Sequence, residues 1–255
     1  MKRNFSFFKG VIIGTILFVL VFVLALYLVL KIQNHLALKM VEVEKRSILD
    51  EAQKNTIKTD QKNDLALFTT KKSPKSAYLE VQFICQAPLE TLENWKYHEE
   101  SCEEAALLQA YLYEKGSKIS KPDAHLKILE MIDWQKKNMG CHHDLYADDM
   151  KKLAIGFYGL KEDEIKMIKD ASIEDIKKEI ASGHPVIVPI TGDILKNPYY
   201  PYPGYHMLVV IGYTEDKIIT NDNGTRRGKD FSYDIKTFEA AMKDAGGEVI
   251  VLKLK

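Results

Sequence analysis

The sequence predicts an α+β domain, helices packed on an antiparallel sheet, preceded by one membrane-spanning helix. Two observations carry this expectation. Helical patterns fill the chain from Cys102 to Tyr158 and strand patterns dominate after Pro185, and helices first with strands second is an α+β order. Near the start, Val11 to Leu30 is an unbroken apolar stretch without a charge. About twenty apolar residues are enough to cross a bilayer as a helix.

At 255 residues the chain has room for one domain plus an extension. Its 36 Lys and Arg balance 36 Asp and Glu, so bulk charge points to neither nucleic acid nor an acidic partner. No glycine-rich phosphate loop or nucleotide signature is present, and no cofactor is expected.

Lys2, Arg3 and Lys9 lie in residues 1–10, read as a cytoplasmic N-terminus ahead of the apolar run. Residues 11–31 are longer than the roughly 7–15-residue core of a signal peptide, and no small-x-small cleavage site follows. They read as an uncleaved signal anchor. The leading basic residues favour an inside N-terminus, but Lys31, Lys39, Lys45 and Arg46 follow closely, so charge alone leaves the orientation open. Residues 32–76 form a juxtamembrane segment. Leu36, Met40, Val43 and Ile48 extend a helical pattern, Gln53 to Asp64 has the composition of a solvated linker, and Pro74 breaks the chain before the domain.

The folded domain is expected over residues 77–255. Tyr78 to Phe83 alternates like a strand. Ser101 and Glu104 have capping-box spacing ahead of an apolar run, predicting a helix from Cys102 that ends before Gly116. Pro122 and Asp123 open a second helix with Leu126, Ile128, Leu129, Ile132 and Trp134 as its apolar face. Gly140 to Asp144 interrupts it, and Leu145 to Tyr158 is helical again, closed by Gly159. Ile165 to Ile168 is a short strand. Ser172 with Asp175 repeats the capping spacing for a helix ending at Gly183. Strands follow over Pro185 to Thr191, Tyr205 to Tyr213 and Lys217 to Asn221. A helix through Ile235, Phe238 and Met242 and a strand over Glu248 to Leu254 complete the domain.

Chemistry-bearing residues fall at the ends of these elements. Cys102 lies in a helix's first turn, where unpaired N–H groups and the dipole favour a thiolate. It is a candidate nucleophile, although a small residue filling a helix start has the same look. His206 opens a buried strand and is the candidate base. Asp222 follows the adjoining strand and could fix the imidazole tautomer. Asn221 and Asn223 are alternatives on the opposite face of an alternating strand, and Asp222 also reads as a turn residue.

The order Gln, Cys, His, Asp is that of papain-like cysteine peptidases. Gln86-Ala87-Pro88, Cys102-Glu103-Glu104-Ala105, Gly183-His184-Pro185-Val186-Ile187-Val188, His206 to Tyr213 and Asn221-Asp222 together resemble the bacteriocin-processing cysteine peptidases, family thirty-nine, and their stand-alone bacterial relatives. The resemblance covers roughly Ala77 to Lys255. It implies a papain-like fold, a peptide or protein substrate, and a catalytic triad of Cys102, His206 and Asp222. It also implies that Gln86 is the oxyanion-hole glutamine, the Cys102 amide being the second donor. Many such relatives act outside the cytoplasm, which with the single anchor places the domain outside. One departure stands out: transporter-linked members have Cys-Gly where this chain has Cys102-Glu103. Glu103 either helps the cap or suppresses the thiolate, since a nearby negative charge raises a thiol pKa.

Three readings of the function share this fold: a membrane-anchored cysteine peptidase, a catalytically silent binder of peptide or cell-wall material, and an amidase or acyltransferase using the same triad. Other features are less specific. Cys141-His142-His143-Asp144 has ligand residue types but adjacent histidines, which seldom converge on one ion. Tyr199, Tyr200, Tyr202 and Tyr205 either line a cleft or stiffen a strand connection. Arg226, Arg227 and Lys229 read as a solvated hairpin tip. Of the three cysteines, Cys85 and Cys141 either bridge, leaving Cys102 free, or stay a buried strand residue and a loop thiol.

Overall fold

The computed structural model describes residues 24, 27, 28, 31, 32, 73–140, 142, 144–200 and 204–254. It divides into two compact units, Met1–Ser47 and Ile48–Lys255. In the first, the five described residues are helical, and Leu24, Tyr27, Leu28 and Ile32 are exposed. Among the described residues no helix is long and apolar enough to cross a membrane. Most of the expected anchor, and the linker up to residue 72, lie outside the described residues.

The second unit is α+β. Its strands are β1 (Ala77–Tyr78), β2 (Ile165–Ile168), β3 (Val186–Thr191), β4 (Tyr205–Tyr213), β5 (Lys217–Asn221), β6 (Phe231–Asp234) and β7 (Val249–Leu252). They form one antiparallel sheet in the order β2-β7-β3-β4-β5-β6, with β1 added to the far end of β4. β4 is the spine. Eight of its nine residues are buried, so it reads as a near-continuous apolar run, as a strand covered on both faces must.

The helices are α1 (Leu92–Tyr97), α2 (Cys102–Glu114), α3 (Lys121–Asn138), α4 (Ala147–Tyr158), α5 (Ile173–Ala181), α6 (Gly192–Leu195) and α7 (Ile235–Asp244). α2 packs against β4. Its residues from Cys102 to Ala110 are all buried, the polar Glu103, Glu104 and Gln109 among them, so this part of the helix lies wholly in the core. α3 is capped by the Ser120 hydroxyl accepting from the Asp123 amide. α5 has the full reciprocal capping box expected at Ser172 and Asp175. α4 ends on Gly159, whose φ of 68° is the left-handed conformation glycine adopts without strain.

Four expectations need correction. The strand expected over Tyr78 to Phe83 is paired only at Ala77 and Tyr78; beyond it the Leu79 amide still donates to the Ile211 carbonyl at 2.8 Å, and Gln82 exchanges hydrogen bonds with the Ile119 main chain. The Ser101–Glu104 capping box does not form. Ser101 makes no side-chain cap, its hydroxyl meeting the His98 ring at 3.2 Å, while Glu104 binds Gln135 and His142. Leu126 is exposed, and Ala124, Met131 and Gln135 share the inner face of α3 with Ile128 and Ile132. Finally, α1, α6 and β6 were not expected from the sequence.

Candidate active site

Cys102 is the first residue of α2, and His206 is the second residue of β4. Because α2 lies on β4, the two are brought to one end of the sheet. They line a cleft of about 270 Å³ together with Gln86, Trp95, Tyr200 and Tyr205. Glu99, Glu100 and Asp144 also reach its wall.

The loop after β5 carries the third group. Asp222 is fully buried, and its Oδ1 meets His206 Nε2 at 3.1 Å. Nδ1 is therefore the ring nitrogen left for the cleft. The same Oδ1 accepts from the Gly224 amide at 3.2 Å. Oδ2 accepts from the Tyr200 hydroxyl at 2.7 Å, from Asn197 Nδ2 at 3.0 Å and from the Tyr233 hydroxyl. Burial alone would push the carboxyl upward, but the His206 ring and the two tyrosine hydroxyls hold it below the ordinary aspartate value. Such a carboxylate is an ionised, immobile acceptor that favours a proton on Nε2.

The neighbouring asparagines go elsewhere. Asn221 Nδ2 donates to the Val81 carbonyl at 3.0 Å, and Asn223 Nδ2 to the Cys102 carbonyl at 2.8 Å. The alternation of side chains along an extended strand explains the split. Of the three candidates, only Asp222 has a hydrogen bond to His206 among the described contacts.

Gln86 is buried at the cleft, positioned by its amide donating to the Asn223 carbonyl at 2.9 Å. Its side-chain nitrogen donates to the carbonyls of His98 and Glu99, both at 2.8 Å. Both amide hydrogens are thus committed to the loop between α1 and α2.

At Cys102 the structure departs from the thiolate expected of a helix start. The thiol is buried, and Sγ donates to Glu103 Oε2 at 3.1 Å. Burial, then the charge and hydrogen bond of Glu103, push its pKa well above the ordinary thiol value, against a smaller opposing contact from the Met207 main chain. The helix-dipole term, worth at most about 2 kcal/mol, is outweighed.

Sequence reading missed several contributors. Asn197, Tyr233 and Gly224 complete the Asp222 shell, yet Asn197 and Tyr233 lie far from it along the chain and carry no local signature. Tyr200 sits in the tyrosine-rich run noted in the sequence and serves both readings of it, lining the cleft and holding Asp222. Arg226, Arg227 and Lys229 are exposed, as expected of a solvated tip, but the two arginines also make specific contacts. Arg226 donates to the Leu89 and Thr91 carbonyls, both at 3.0 Å, and lies over Trp95, while Arg227 lies over Tyr199. Cys85 is a buried free thiol, and Cys141 lies outside the described residues, as does His143. Among the described residues no group of three or more His, Cys, Asp or Glu converges as a metal site.

The antiparallel sheet thus carries a cysteine-headed helix on its central strand and a His–Asp pair at that strand's mouth. The chain belongs to the Peptidase_C39 like family, whose model matches residues 78–250. No curated protein matches it. Among solved structures it is similar to a Bacillus anthracis protein described as a C39-like peptidase, at 18% identity and a TM-score of 0.48, covering 68% of this chain and 94% of that one. It is also similar to a fragment of Prevotella intermedia prointerpain A, at 13% identity and a TM-score of 0.44, covering 80% of each chain.

Proposed function

We propose that this chain is a membrane-anchored cysteine peptidase in which Cys102, His206 and Asp222 form the triad. The observation that carries the reading is the convergence of Cys102 and His206 on one cleft, with the far ring nitrogen of His206 on the buried Asp222 carboxylate. Cys102 sulfur attacks the scissile carbonyl as a thiolate, and His206 protonates the leaving amine from Nδ1. A water, deprotonated by the same nitrogen, then releases the acyl group. The oxyanion is held by the Cys102 amide, one of the first-turn N–H groups a helix leaves unpaired. Gln86 is the second donor once substrate draws one of its hydrogens from the His98 or Glu99 carbonyl.

Residues 11–31 form the anchor. The apolar run from Val11 to Leu30 and the exposed, helical Leu24, Tyr27 and Leu28 support it. The peptidase domain lies outside the cytoplasm.

The commitment of Gln86 to main-chain carbonyls favours a second reading, a silent member of the fold that only binds peptide. Labelling of Cys102 by a thiol-reactive probe at pH 7 separates the two. The peptidase reading expects Cys102 to label in the wild type and at least about tenfold more slowly in His206→Ala, which loses the imidazole that stabilises the thiolate. Equal labelling of both proteins would favour the silent binder.

A further inference from the structure

Glu103 is the residue that the fold places hardest against the nucleophile. Its side chain is buried and bound at both oxygens, Oε2 by the Cys102 thiol at 3.1 Å and Oε1 by the Leu145 amide at 3.0 Å. The Leu145 carbonyl is in turn held by the Tyr205 hydroxyl at 2.8 Å. Tyr205 precedes His206, so the carboxyl is fixed to the same strand that carries the base. The proton it shares with the Cys102 sulfur is thus held between two buried groups.

We propose that Glu103 is a positioning residue that governs the Cys102 proton: as a neutral acid it donates to the thiolate, and as a carboxylate it locks the sulfur as a thiol. This rests on Cys102 being the nucleophile. Burial and the neighbouring Glu104 raise the Glu103 carboxyl to about 8, while the thiol stands higher still. As pH rises, Glu103 therefore gives its proton to solvent before Cys102 does, and the charge left at 3.1 Å opposes loss of the second proton. The other titratable groups facing the pair are Glu104 on α2, His142 and Asp144 from the loop before α4, and Tyr205 and His206 on β4. All are unchanged in the variants below. The consequence is an alkaline ceiling on the nucleophile, built into the residue that distinguishes this chain from members with Cys-Gly.

The test is the pH dependence of Cys102 alkylation by iodoacetamide, followed site by site by mass spectrometry on the full chain. Glu103→Gln retains an acceptor for the Leu145 amide and a donor for the sulfur but cannot ionise. Its rate should match the wild type near pH 6 and exceed it at least about tenfold by pH 9, the curves parting near pH 8, where Glu103 ionises. Glu103→Ala should follow the glutamine variant on the alkaline side. Superimposable curves, or a slower glutamine variant at pH 9, overturn the proposal. Should neither variant fold, the wild type still decides: a rate that levels off above pH 8, where Glu103 ionises, supports the lock, and a single uninterrupted rise through the ordinary thiol midpoint of about 8.5 overturns it. The readout needs no peptidase activity, so it stands apart from failure to cleave peptides.

Discussion

Asp222 is a carboxylate that five donors hold in place, and this makes it the most sensitive single residue of the site. Asp222→Asn keeps its shape but presents an NH₂ where a donor already points, from either Gly224 and His206 or Tyr200, Asn197 and Tyr233. The expected result is a fall in kcat/KM of about 10²–10⁴, the range of general acid–base catalysis. A stability loss of about 1–3 kcal/mol by urea melt should accompany it, from a buried polar group left unpaired. Loss of activity without loss of stability would mean that the Asp222 shell is not structural. His98 gives a separate pH signature. Its buried ring is held neutral, its pKa lowered to about 4 by burial and then by His125 and His142. The unfolded chain, with histidine near 6.5, binds more protons between those values. Stability should therefore fall as pH drops from 6.5 toward 4, and the depressed Asp222 extends the loss through the carboxylate range. His98→Gln should flatten the upper part of that slope in melts at stepped pH.

At the scale of elements, the turn from Asp222 to Gly228 decides whether β5 delivers its carboxylate correctly. The Asp222 amide donates to the Gly228 carbonyl at 2.9 Å. A Cβ on Gly228 would stand 1.7 Å from the Asp222 carbonyl oxygen. Because that atom is backbone, Gly228→Ala should open the turn, costing at least about 1–3 kcal/mol as overpacking does and most of the activity. Gly224→Ala is milder, its Cβ 2.8 Å from the His206 ring, and should lower kcat with little change in thermal midpoint. These close approaches mark what the sequence could and could not disclose. Periodicity located β2, β3, β4, β5, β7 and the long helices, because a buried face repeats every second residue or every three to four. It misread Ser101, whose capping spacing was genuine but whose hydroxyl is taken by His98, a contact set by tertiary packing. Motif order put Cys102, His206 and Asp222 at element ends but could not reveal the Cys102–Glu103 hydrogen bond, because adjacent residues on a helix do not ordinarily face each other.

At the scale of the whole molecule, an apolar amino-terminal stretch precedes a domain whose candidate site lines a cleft of about 270 Å³. Protease added to intact cells should remove the region after Lys31 without lysis. Protection of the domain would place it in the cytoplasm. The central claim, that Cys102 hydrolyses peptide bonds, is tested most directly by digesting a peptide library with the full chain and with Cys102→Ala. Cys102→Ala adds no bulk but leaves the buried Glu103 Oε2 without its thiol donor, so a melt of both proteins accompanies the digest to show that the variant is folded. The account predicts discrete cleavage products with the wild type and none with Cys102→Ala; equal cleavage by both, or none by a wild type whose Cys102 labels readily, would contradict it.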